Sequence, residues 1–160
     1  MTTQTIERTT LSNLVSNEEY CRKVLPFIKA DYFDIKEERV VFEEITNFVD
    51  KYKRIPTKIS LEIEVESRKD LTQDQHTKIV EIIQTLDATE VDMEWLVDTT
   101  EKFCKDKAIY NAIVDGISII DGKDKKRSAD AIPSILTDAL AVCFDNAVGH
   151  DYFDDAEERF

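Results

Sequence analysis

Glycine and proline are scarce in this chain of 160 residues, three of each. An all-β protein needs turn residues at short, regular intervals, so their shortage excludes that class. No apolar run approaches the roughly 20 residues that cross a bilayer, and no membrane association is expected. The N-terminus, MTTQTIERTT, is polar and resembles neither a signal peptide nor an anchor. Cysteines are few as well: Cys21, Cys104 and Cys143 are odd in number and have no CxxC spacing. They point to reduced thiols in an intracellular setting, not to a disulfide framework. Two distant histidines, His76 and His150, add no metal-ligand spacing, so no metal site is expected.

Positive charge is also in short supply. Against 34 Asp and Glu stand 21 Lys and Arg, for a net charge of -13 and a pI near 4.6. Affinity for a phosphate backbone comes from clustered Lys and Arg displacing counterions. Strong direct DNA binding is therefore not expected. The acidity serves solubility, or it forms a docking surface for a basic partner.

What is present favours helix. Hydrophobic residues make up 42% and charged residues 34% of a chain long enough for one domain, or a small domain with an appended element. NEEYCRKVL has Asn17 as N-cap and Glu18 and Glu19 in the first turn, before Pro26 interrupts. After a proposed cap at Asp34, IKEERVVFEEITNFVDKYKR sets Val41, Ile45, Phe48 and Tyr52 on one stripe. That helix should stop before Ile55, because Pro56 disfavours the helical conformation there. Thr72 caps QDQHTKIVEIIQTL, with Ile79, Ile82, Ile83 and Leu86 as its stripe. Between these, ISLEIEVES alternates strictly, and local physics leans towards a strand over 59–67. A lone strand has no partner, which favours helix instead.

From Asp92 a long helix is predicted to about Ile120, in which Leu96, Phe103, Tyr110 and Ile117 recur every seven residues. Ile113 and Ile120 fill the second seam of this repeat, a pattern that packs against another helix. Beyond a polar turn, Ile132, Ile135, Leu136, Ala139, Leu140, Cys143 and Phe144 form one apolar face, with Pro133 suited to the first turn. The two segments predict an antiparallel helical hairpin wide enough to offer a dimer surface.

One stretch imitates a phosphate-binding loop. DGISIIDGKDKK contains Gly116, Gly122 and Lys123, but five residues separate the glycines where the P-loop has four. Asp124 stands where Ser or Thr should hold magnesium, and a helix precedes the stretch where the motif requires a strand. A helix end at Gly122 followed by a basic turn, KDKKRS, explains the same residues. No carboxylate pair or Cys–His arrangement has a recognisable signature. No catalytic, cofactor-binding or metal-binding residue is expected.

The C-terminal stretch LAVCFDNAVGHDYFDDAEERF resembles the segment that joins the N-terminal domain to the motor in replicative helicases of T-even-type phages, members of the DnaB-like hexameric family. LSNLVSNEEYCRKVLPFIKADYF, IPT and DMEWLVDTTEKFCKDKAIYNAI agree with it. The resemblance covers essentially the whole chain and is most specific over Val148 to Arg159. It implies an all-α fold: a helical head over 1–90, a helical hairpin over 91–145, and the start of a linker over 146–160. It also implies a helix at 59–67.

The resemblance further implies a collar domain that assembles as a dimer, or as a hexamer built from a trimer of dimers. Candidate interface residues are Leu96, Phe103, Tyr110, Ile113, Ile117, Ile135 and Leu140, some of which must belong to the chain's own core. Tyr152, Phe153 and Phe160 would anchor the linker on a neighbouring subunit. Implied partners are the phage primase and the helicase loader, in the cytoplasm of the infected bacterium. No Walker A, Walker B or arginine finger is found here, so ATP and magnesium would belong to a motor outside these residues, and the fragment itself would not be an enzyme. The alternative is a stand-alone acidic phage protein that mimics DNA or inhibits a host DNA-binding enzyme.

Overall fold

Helical periodicity decides nearly every element of the computed structural model, which describes residues 3–88 and 90–144, with side chains from Thr5 onward. Among these residues the chain forms seven α-helices and no strand. α1 (Thr3–Leu14) falls in the polar, threonine-rich segment where sequence pattern predicts no helix. Ile6, Leu11 and Leu14 are buried on it, and several of the small polar side chains in and just after it bond back to its own carbonyls. Thr10 Oγ1 donates to Ile6 O at 2.8 Å, Asn13 Nδ2 to Thr9 O at 2.9 Å, and Ser16 Oγ to Ser12 O at 2.7 Å. Such back-bonding lets poor helix formers occupy a helix that packing demands.

α2 (Glu18–Val24) starts as expected, with Asn17 Oδ1 accepting from Tyr20 N at 3.1 Å. Pro26 then sits in a short 3₁₀ turn, Leu25–Phe27. α3 (Lys36–Tyr52) corrects one expectation and meets another. Its N-cap is Ile35, not Asp34, whose carboxylate instead pairs with Lys107. Its end comes at Lys53, in the left-handed conformation at φ 59°, ahead of the proline. The stripe also rotates: Val41, Ile45 and Val49 are fully buried, while Tyr52 is exposed and meets half-buried Phe48 in a tilted ring pair with centroids 4.7 Å apart.

The alternating stretch is helix α4 (Lys58–Glu66), opened by a reciprocal capping box between Thr57 and Ser60. Two residues along a helix turn about 200°, so strict alternation places successive apolar residues on opposite faces. Leu61 and Val65 are fully buried, whereas Ile59 and Ile63 face solvent. α5 (Gln73–Gln84) begins with the same device, Thr72 with Gln75.

α6 (Met93–Ile120) is 28 residues long and is capped by Asp92, whose Oδ2 accepts from Trp95 N at 2.8 Å. Its first half belongs to the head. Tyr20 and Thr100 share a buried hydroxyl hydrogen bond of 2.6 Å, and Phe103 meets the ring edge of Phe33 at 5.9 Å. The core of buried side chains takes in residues of α1 to α6 and Ala139 of the last helix. α7 (Ile132–Leu140) has only nine residues and stops short of Phe144, where the apolar face was expected to end. It packs antiparallel on α6: Gly116 faces Ile132, and Phe144 N donates to Glu101 Oε2 at 2.8 Å.

Candidate interaction surface

The seven-residue repeat of α6 crosses from core to solvent along one helix. Leu96 and Phe103, in the half covered by the head, are 0% and 5% exposed. Tyr110 and Ile117, two and three repeats after Leu96, are 59% and 54% exposed. Ile113, Val114 and Ile120 join them at 50%, 43% and 72%. At 100° per residue these five side chains fall within one face about 120° wide.

The opposite face carries small residues. Ala108, Ala112 and Gly116 are buried, and the α7 side chains lie against them. Small side chains let α7 approach closely, and that contact occupies only one side of α6. Among the described residues, nothing covers the large apolar side chains on the other side. A contiguous exposed apolar face of this kind marks an interaction site.

The predicted interface residues therefore divide. Leu96 and Phe103 are withdrawn from the candidate set, because side chains sealed in the head core cannot meet a second chain. Tyr110, Ile113 and Ile117 lie together on the open face. Ile135 is half-buried against α6, and Leu140 is 70% exposed at the end of α7. Val114 extends the face, and its signal was the spacing of four from Tyr110. Tyr152, Phe153 and Phe160 lie outside the described residues, as does the whole proposed linker over 146–160.

The stretch resembling a phosphate loop closes α6 with a hydrogen-bonded reversal. Lys123 N donates to Ser118 O at 3.0 Å and Gly122 N to Ile119 O at 3.2 Å, with Gly122 at φ 77°. This pattern ends helices and satisfies carbonyls that would otherwise be orphaned. In the basic turn Asp124 Oδ1 accepts from Lys126 N at 2.9 Å and Arg127 N at 3.3 Å, while Arg127 Nε donates to Oδ2 at 2.8 Å. The Arg127 guanidinium, then these amides, hold the Asp124 carboxyl below its usual range. The amides of Gly122, Lys123 and Asp124, which a phosphate would need, are occupied by the helix's own carbonyls at Ser118 and Ile119.

Other chemistry finds little support. Among the described residues no cluster of three or more His, Cys, Asp and Glu could hold a metal ion. Cys21 and Cys104 are buried, and burial pushes both thiols up to about 12. No helix of the described residues is long and apolar enough to cross a membrane. What the geometry offers is contact between helices.

No family model matches this sequence. Comparison with curated proteins finds the DnaB-like replicative helicase of Enterobacteria phage T4, 32% identical over 158 aligned positions. The chain is similar to that helicase. The alignment takes in 94% of this chain and 33% of the helicase. The chain thus spans about a third of the length of the curated relative it matches, a relationship consistent with an N-terminal domain. The resemblance drawn from the sequence and the all-α class both hold.

Proposed function

We propose that these residues form the collar of a phage replicative DNA helicase, a part that assembles subunits and recruits partners while the motor lies elsewhere. The observation that carries this reading is the open face of α6, Tyr110 to Ile120, on a chain related to a DnaB-like helicase. In this reading the face joins two copies into a dimer, and dimers assemble towards a hexamer. Primase and the helicase loader are the partners expected on the collar. ATP hydrolysis and strand separation belong to the motor, so the collar itself performs no reaction.

The acidic-mimic alternative draws on the charge of -13. It is weakened by the interleaving of acids with cations, as in the pairs Lys102–Asp106 at 2.8 Å and Lys78–Asp74 at 3.3 Å. A DNA mimic needs carboxylates arrayed without such neutralisation. Affinity capture from phage-infected cells, with recovered proteins identified by mass spectrometry, tests the choice. Primase or loader among them supports the collar; host nucleases without either would overturn it.

A further inference from the structure

The alternating stretch leaves a second apolar ridge far from α6 in sequence. On α4, Ile59 is 71% and Ile63 is 55% exposed, one turn apart on the same face. Beside them Glu62 and Glu66 line a groove whose opposite wall, from α5, includes His76, Thr77 and Val80. Apolar side chains at this spacing next to a groove fit a helix laid along it.

Charge identifies the kind of helix. Glu62, Glu64 and Glu66 take part in no ion pair among the described residues. Of the cations nearby in sequence, Lys58 pairs with Asp87, Lys78 with Asp74, and Arg68 with Glu43, Glu44 and Asp70. The acids also occupy the wrong end of α4 for stability. No acid lies in its first turn and no base in its last, while Glu64 and Glu66 sit where the helix dipole is already negative. A second copy of this chain would bring the same acids to the contact, and nucleic acid would bring phosphates.

We propose that the Ile59–Ile63 ridge, with its rim of Glu62 and Glu66, is a docking site for a cationic amphipathic helix of a partner protein. The site would serve the recruitment role proposed above, but the binding itself does not depend on that role or on self-association. Apolar side chains of the partner would cover Ile59 and Ile63, and its Lys or Arg would meet the glutamates.

The test is an amide NMR titration of the whole chain with an 18-residue Leu/Lys amphipathic peptide. A Leu/Glu peptide of the same pattern serves as the control. Shifts should centre on residues 59–66 and 73–80 and should weaken at high salt, because exposed charges are screened. Ile59→Ser with Ile63→Ser, and separately Glu62→Lys with Glu66→Lys, should each weaken binding about tenfold or more while helicity is unchanged. Three results would overturn the proposal. They are shifts centred on Tyr110 to Ile120, equal binding of the Leu/Glu peptide, or the same 59–66 shifts on concentrating the chain alone. Because the readout needs neither primase nor dimer, a failure here leaves the collar reading standing, and a failed capture experiment leaves this site standing.

Discussion

A Cβ built on Gly116 would lie 3.7 Å from Ile132 Cγ2, an ordinary contact between the two arms of the hairpin. Gly122, at φ 77°, meets nothing within 4 Å but occupies backbone that other residues resist. The two glycines of one motif-like stretch should therefore respond in opposite directions. Gly116→Ala should stabilise by about 0.5–1 kcal/mol, since alanine loses less entropy in a helix. Gly122→Ala should destabilise by about 1 kcal/mol through left-handed strain. Urea melts of both variants check this, and loss of stability in both would contradict the account of α6.

Stability should also vary with pH through Glu7, a residue of α1 that is 1% exposed. Neither of its carboxylate oxygens has a hydrogen-bond partner, nor does Glu38 Oε1, while Arg8 Nε donates to Glu38 Oε2 at 2.9 Å. Burial first, then the neighbouring Glu38 carboxyl and the Asp34 charge, push Glu7 up from 4.5 to about 7. Between those values the folded chain holds more protons than the unfolded one, so stability falls as pH rises and levels off above about 7. Glu7→Gln should remove this fall. Urea unfolding should find the variant ahead by about 3 kcal/mol at pH 8, with the gap closing towards pH 4. A gap independent of pH would contradict the buried acid pair.

Thiol chemistry reports on packing. Cys21 and Cys104 are buried and hard to ionise, whereas Cys143 is half-exposed just past α7. Reaction with dithionitrobenzoate at pH 8 should release one fast equivalent from the folded chain and all three in denaturant. Cys143→Ser should remove the fast phase. A fast phase that survives in this variant would mean that the core opens around Cys21 or Cys104.

How far the sequence announces this fold depends on whether a residue's role is local. Caps at Asn17 and Thr72 were legible because a side chain satisfies an amide three residues away. α1 was not, since its threonines argue against helix and only distant packing on Ile6, Leu11 and Leu14 overrules them. Asp34 looked like a cap but serves Lys107, a partner that local pattern cannot reveal. The period of α6 was legible throughout. Where the head stops covering it was not, so Leu96 and Ile117 looked equivalent although one is core and the other surface.

Assembly through the open face of α6 is the central claim, and sedimentation equilibrium tests it most directly. The wild-type chain should exceed its monomer mass of 18.5 kDa as concentration rises. Ile113→Ser with Ile117→Ser should stay at that mass with unchanged helicity, while Ile59→Ser with Ile63→Ser should associate as the wild type does. A wild-type chain that remains monomeric at the highest attainable concentration would contradict the claim, as would undiminished association of the Ile113 and Ile117 double variant.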